Sequence, residues 1–175
     1  YYSLPSWSYA GCSDSKIFDQ QAVAEATMMT MLSAFAGANL NHDVGYLEAG
    51  LTSSLEAVVA GEEIIGAVRR IAGGVEITAE TLALDLIDQV GPGGEFLTTD
   101  HTLRHFREDW FPRLFDRTNY ETWVRKGKRT LGERATEKAR EILHAHLPVP
   151  LDEGIRSQIS RIIARAESRA KASEL

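Results

Sequence analysis

The sequence predicts an α/β chain that turns helical in its second half. Three observations carry this. Strand and helix patterns alternate over residues 1–75, the order that builds parallel strands. Only helical patterns follow residue 75. The balance of 175 residues, 43% hydrophobic and 25% charged, is that of a globular domain rather than a disordered, collagen-like or disulfide-scaffold chain.

Residues 4–10, Leu-Pro-Ser-Trp-Ser-Tyr-Ala, alternate in size and predict a strand, with Pro5 near its start where a missing donor is tolerated. A polar loop follows, and Asp19 is placed to cap a helix reaching about Gly37. That helix is apolar on most sides (Ala22, Val23, Ala26, Met28, Met29, Leu32, Phe35) and is expected to be largely buried, with Met28, Met29 and Met31 as core filler. Asn39 to Val44 is a short strand candidate, and Gly45 to Gly50 a loop. Ser53-Ser54-Leu55-Glu56 reads as a capping box. It opens a helix with Leu55, Val58, Val59, Ile65, Val68 and Ala72 at helical spacing, ended by Gly73-Gly74.

After residue 75, Thr78 caps a helix to about Val90, and Gly91-Pro92-Gly93-Gly94 breaks it. A short helix carries His101 and His105 towards Trp110-Phe111-Pro112. Thr118-Asn119-Tyr120-Glu121 reads as a second capping box, opening a helix to His144 with a weak spot from Gly127 to Gly132. Asp152 to about Ala172 is a final amphipathic helix with Ile155, Ile159, Ile162, Ile163 and Ala166 inward. Two strands alone cannot make a covered parallel sheet. The chain is therefore expected to be a piece of something larger, as its start at Tyr1-Tyr2-Ser3 without an initiator Met suggests.

Composition narrows the function. The net charge of −6 argues against general nucleic-acid binding. The charge is split: residues 1–100 carry 3 basic and 14 acidic residues, residues 101–175 carry 16 basic and 11 acidic. The basic end either docks an acidic neighbour or is a set of solvated helix faces. No apolar run approaches the roughly 20 residues of a membrane helix. The start lacks the basic and apolar runs of a signal peptide. With the single Cys12, these make a reducing cytoplasm the expected compartment.

Gly11-Cys12-Ser13-Asp14-Ser15-Lys16 is the densest cluster of reactive types, between a strand and a helix where α/β folds build sites. Cys12 there is either a thiolate aided by Lys16 and the helix start, or part of an ordinary polar turn. Trp7 and Tyr9 share one face of their strand, as one side of an aromatic cage for a cation or as core. Gly45-Tyr46-Leu47-Glu48-Ala49-Gly50 offers an aromatic and a carboxylate at the matching end of the next strand. His101 and His105, four apart on a helix, have a spacing zinc can use but no evident third ligand, so no metal is expected. Gly91-Pro92-Gly93-Gly94 lacks the Lys-Ser/Thr of a phosphate loop.

Several of these segments together resemble the trimethylamine:corrinoid methyltransferase family. They are Gly11-Cys12-Ser13-Asp14-Ser15-Lys16 with Asp19, Gln21 and Ala22; Ala36-Gly37-Ala38-Asn39; and Gly45-Tyr46-Leu47-Glu48-Ala49-Gly50-Leu51-Thr52. The likeness continues at Glu80-Thr81-Leu82-Ala83-Leu84-Asp85, Gly91-Pro92-Gly93-Gly94, His101-Thr102-Leu103-Arg104-His105-Phe106-Arg107 and Trp110-Phe111-Pro112. The resemblance implies the C-terminal part of a (β/α)₈ TIM barrel, mostly helical in this fragment. Residues 1–74 would be its last βα units and residues 75–175 a C-terminal helical extension. It implies transfer of a methyl group from a methylated amine to the Co(I) of a partner corrinoid protein, with no cofactor bound tightly by this chain. Trimethylamine-specific members carry pyrrolysine at or next to the position of Cys12. Its absence here points to the non-pyrrolysine branch and a quaternary amine such as glycine betaine. Carried onto this chain, the resemblance implies Glu48 and Cys12 as catalytic residues and Trp7, Tyr9, Asp14, Lys16, Gln21 and Tyr46 as substrate-binding residues. A partial barrel leaves strand edges exposed that would pair with another copy, so a homo-oligomer is expected. The competing reading is a helical interaction module without chemistry, using Arg125, Lys126, Lys128, Arg129, Arg134, Lys138 and Arg140.

Overall fold

Parallel neighbours need a crossover of a dozen or more residues, and the chain supplies one. In the computed structural model, which describes residues 4–173, strand β1 (Trp7–Tyr9) pairs in parallel with β2 (Leu40–His42). Trp7 faces Leu40, Ser8 faces Asn41 and Tyr9 faces His42. Tyr1-Tyr2-Ser3 lies outside the described residues. Helix α1 (Gln20–Phe35) makes the crossover, and the Asp19 carboxylate caps it by accepting from the Ala22 N–H at 3.0 Å. The Ser33 hydroxyl, donating to Asn41 Oδ1, ties the helix to β2.

Helix α1 corrects the expectation that it is largely buried. Its buried residues are the small ones, Ala22, Ala26, Thr30 and Ser33, in a stripe at i, i+4 spacing. Met28, Leu32 and Phe35 are 56%, 66% and 59% exposed, because none of the described residues packs over that side. Of the three methionines only Met31 packs against the core; Met28 and Met29 are exposed.

Helix α2 (Leu55–Ala72) packs on α1, with Ala26, Ile64 and Val68 buried between them and Val23, Met31, Ala34 and Phe115 around them. Its cap is Ser54, whose Oγ accepts from the Ala57 N–H at 3.2 Å and donates to Glu56 Oε2 at 2.7 Å. The capping box expected at Ser53 does not form. Ser53 is claimed instead by an antiparallel pair, β3 (Tyr46–Leu47) with β4 (Thr52–Ser53), whose first strand lies in the segment expected to be loop. The buried stripe of α2 is Ala60, Gly61, Glu63, Ile64 and Val68, rotated from the one expected, and Leu55 and Val58 are exposed. The rotation follows from close approach of the strand ends. A Cβ on Gly61 would lie 2.3 Å from Val44 Cγ1, and one on Gly45 (φ +91°) 2.3 Å from Val58 Cγ2.

Beyond Gly74, Thr78 caps α3 (Ala79–Leu82), and Ala83 in the left-handed region (φ 49°) separates it from α4 (Leu84–Val90). Helix α5 (Asp100–His105) is capped by Thr99. Helix α6 (Tyr120–Arg125) is capped by Asn119, which accepts from the Thr122 N–H at 2.9 Å. The expected box at Thr118 is thus replaced, and Thr118 bonds Asp116 instead. Helix α7 (Leu131–Ala145) buries Ala135 and Ala139, and Ala135 joins Ala60 and Leu114 in a second core cluster. The buried Glu63 carboxylate accepts the Leu114 and Phe115 N–H groups at 2.6 and 2.9 Å.

The chain is mostly helical, with these two small sheets. Its contacts divide it after Glu141, so the packing boundary differs from the change of pattern at residue 75. The second unit, from Ile142, is built on α8 (Glu153–Ser173). Ile155, Ile159, Ile162 and Ile163, expected inward, are exposed on this helix. Among the described residues no helix is long and apolar enough to cross a membrane.

Candidate functional site

Because β1 and β2 are parallel, the loops that follow them leave from one edge of the sheet. Backbone bonds zip these loops together. The Gly45 N–H donates to the Gly11 carbonyl at 3.2 Å, Ser13 to Tyr46 at 3.0 Å, Glu48 to Ser15 at 2.9 Å and Ala49 to Ser13 at 3.3 Å. The two clusters that the sequence marked separately, Cys12 to Lys16 and Tyr46 to Glu48, therefore lie side by side. Glu48 and Ala49 both stand in the left-handed region (φ 50° and 52°) within a 3₁₀ turn. Two successive non-glycine residues there need outside support, which the Ser15 and Ser13 carbonyls give.

A residue the sequence reading missed organises the first loop. Glu25 of α1 accepts from the Ser13 hydroxyl at 2.6 Å, the Asp14 N–H at 2.8 Å and the Gln21 side-chain amide at 2.8 Å. The Ser13 hydroxyl first, then the Asp14 N–H and Gln21, hold its carboxyl below the usual range. The signal was available: Gln21 and Glu25 are four apart on the first turns of a helix whose start faces the loop. Asp19 takes the Ser15 hydroxyl at 2.9 Å besides capping α1. Lys16 Nζ donates to the Asp14 carbonyl at 2.9 Å.

Cys12 is half-buried. Burial, and next the Asp43 charge, push its thiol above the ordinary value. These surroundings favour the neutral thiol over the thiolate, and the Lys16 ammonium donates to a backbone carbonyl.

Trp7 and Tyr9 are 67% and 58% exposed, so they are not core. They meet on a third ring, His42, supplied by the register of β2. Its centroid lies 4.7 Å from Trp7, edge-on at 71°, and 4.9 Å from Tyr9. Asp43 Oδ1, 2.6 Å from His42 Nδ1, sets the imidazole's orientation. His42 was not legible as a site residue, since its place depends on strand pairing 33 residues away. Trp7 and Tyr9 are thus joined through His42, while Tyr46 and Glu48 are joined to the Cys12–Lys16 loop. A groove of about 1050 Å³ elsewhere is lined by Val58, Glu62, Arg69, Trp110, Glu137 and Lys138 among others, and by none of these residues.

Of the basic residues expected to form a docking surface, Arg129 pairs with Glu137, Lys138 pairs with Glu141 at 2.9 Å, and Arg134 donates to the Leu114 carbonyl at 2.8 Å. One group of metal-ligand types converges among the described residues: Glu80 from α3 with His101 and His105 from α5. His105 and Arg104 hold the Glu80 carboxyl down to about 2. Glu80, then Glu108, raise His105.

The sequence profile of the trimethylamine methyltransferase family (MTTB) matches residues 1–171. The chain is 40% identical over 167 residues to trimethylamine methyltransferase MttB of Desulfitobacterium hafniense (strain DSM 10664 / DCB-2), covering 95% of this chain and 34% of that protein. It is 35% identical over 167 residues to trimethylamine methyltransferase MttB of Methanosarcina barkeri, with the same coverage. It is 36% identical over 167 residues to the glycine betaine methyltransferase of Desulfitobacterium hafniense (strain Y51), covering 94% of this chain and 35% of that protein. The chain therefore spans about a third of the length of these relatives.

Proposed function

We propose, because this chain belongs to the trimethylamine methyltransferase family, that it forms the C-terminal part of an enzyme transferring a methyl group from a quaternary amine to a partner corrinoid protein. The observation that carries this is the exposed ring group Trp7–His42–Tyr9 at the sheet edge from which the Cys12–Lys16 and Tyr46–Glu48 loops also leave. Parallel β1 and β2 support a place as two of the eight strands of a TIM barrel, with residues 1–74 as its last βα units and 75–175 as the helical extension. Exposed aromatic faces attract a quaternary ammonium, and such contacts contribute about 0.5–2 kcal/mol each. Glu48 adds a negative charge beside Tyr46. Cys12 lines the loop as a neutral thiol, and Asp14, Lys16 and Gln21 shape its polar wall.

The reaction is a displacement at a methyl carbon. The methyl acceptor, the Co(I) of the partner's corrinoid, would supply the electron pair for the new Co–C bond. The C–N bond breaks, and its electrons leave with the amine, which departs neutral. No proton has to move, so the task of these residues is to hold the cation and aim one methyl outward. A relative named as a glycine betaine methyltransferase makes a quaternary substrate the reading to test first. We place the enzyme in the cytoplasm, which cell fractionation checks, and as a homo-oligomer, which sizing of the intact protein checks.

The experiment is methyl transfer by the whole enzyme with corrinoid protein and a panel of methylated amines. Trimethylglycine is expected to react and trimethylamine not. Glu48→Gln should raise KM for the cation about tenfold or more, the size of a lost charge contact in a partly dry site. Reaction with no quaternary amine would refute the proposal, and an unchanged KM would remove Glu48 from the site.

A further inference from the structure

We infer a second site in this chain, a zinc-class divalent metal site formed by Glu80, His101 and His105. One ligand atom from each lies within 4.8 Å of the other two. The two imidazoles stand on the same face of α5, one turn apart, with ring centroids 4.5 Å from each other. Glu80 reaches them from α3, with Oε1 at 2.9 Å from His105 Nε2. Two imidazoles and a carboxylate form a donor set suited to zinc or a neighbouring transition metal rather than to magnesium or calcium. Bonds of about 2.0 Å put tetrahedral ligand atoms about 3.3 Å apart. Reaching that spacing needs the imidazoles as well as the exposed Glu80 side chain to shift from their places within 4.8 Å of one another.

Two further features fit a metal. His105 Nδ1 lies 2.7 Å from Glu108 Oε2, which turns Nε2 towards Glu80. A carboxylate behind a histidine ligand in this way fixes the tautomer and strengthens the donor. The second feature is what the cluster joins. Helices α3, α4 and α5 bury no residue, so no apolar core fixes α3 against α5. What joins them is this cluster: His101 Nε2 is 2.9 Å from the Glu80 carbonyl and Arg104 donates to Glu80 Oε1 at 2.7 Å. A metal bound here would cross-link positions 21 and 25 residues apart and stabilise the pair. The fourth position is left to water, as in an open zinc site. Arg104 pairs with Glu80 Oε1 and opposes the ion, which displaces it from that oxygen.

The test uses the intact protein, stripped by chelator and titrated with zinc chloride at about pH 8, where protons compete least with the metal. Calorimetry should show one equivalent bound, absent from the His101→Gln/His105→Gln double variant and at least tenfold weaker in Glu80→Gln. Cobalt(II) should give the visible bands of a four-coordinate site in the wild type and not in the double variant. Arg104→Gln should bind zinc about fivefold more tightly, the effect of removing one solvated charge nearby. A cluster that is only an ion-pair network would not show this gain. No stoichiometric zinc binding in the wild type, or wild-type binding in a double variant with intact circular dichroism, overturns the site. Should the double variant not fold, Arg104→Gln decides, and unchanged affinity there overturns it too.

Discussion

Between Trp7 and Ala72 the chain is tied by a parallel strand pair, a zipped loop pair and a helix pair with Ala26, Ile64 and Val68 between them. Between Ala79 and His105 three short helices bury no residue, and the ties are Thr78, Thr99 and the Glu80 cluster. The first region resists local change, since its loops are bonded on both sides and backed by packed side chains. The second is set by a handful of polar contacts at the surface, which solvent and salt weaken. The positions proposed to hold a substrate cation sit in the first region. The second is where a single bound ion has leverage.

Substitutions break or sharpen this contrast, and the largest effect belongs to the core of the first region. Ile64→Ala should cost about 2–5 kcal/mol in urea unfolding of the intact protein, because Ile64 is buried against α1. A cost below 1 kcal/mol would mean that the α1–α2 contact is not its core. Gly45→Ala should cost about 1–3 kcal/mol, since a Cβ there meets Val58 and the φ of +91° is unfavourable for alanine. The loss should appear in the same melt. A wild-type midpoint would show that the loops tolerate a shifted Val58.

The next effect is in pH dependence. Glu25 has a lowered folded-state carboxyl value, so the stability it contributes is present above the unfolded value and lost as pH falls through the folded one. Glu25→Gln should therefore flatten the loss of stability on acidification below about pH 5, with Tm measured across pH as the check. An equally steep acid limb in the variant would remove Glu25 as an organiser of the loop. The smallest effect is in the second region. Ile87→Ala on exposed α4 should stay within about 0.5 kcal/mol of the parent. A loss as large as that of Ile64→Ala would erase the contrast.

What was legible in the sequence was local. Asp19, Thr78 and Gly73 mark helix ends because a cap reads residues at most a few positions away. The alternation of strand and helix gave the parallel pair for the same reason. Site residues supplied by pairing were not legible: His42 reaches Trp7 and Tyr9 only through register, and Glu80 reaches His101 only across a glycine-rich break. Ser53 misled because it satisfies the letter pattern of a cap while the hairpin takes it first. The bulk of α1 misled because periodicity shows which residues need cover, not whether this chain provides it. The family resemblance, carried by loops such as Gly11 to Lys16 and Gly45 to Thr52, survived all of these errors, since loop residues carry site chemistry rather than packing.

Asp19 serves two neighbours with one carboxylate, the Ala22 N–H of the first helical turn and the Ser15 hydroxyl of the loop. Both partners are within four residues, so both contacts close over short chain lengths, at little entropic cost. The β1–β2 ladder has to wait for a crossover of more than thirty residues. Contact order therefore favours closure of the turn around Asp14 and Lys16, together with the start of α1, ahead of the ladder that brings His42 to Trp7 and Tyr9.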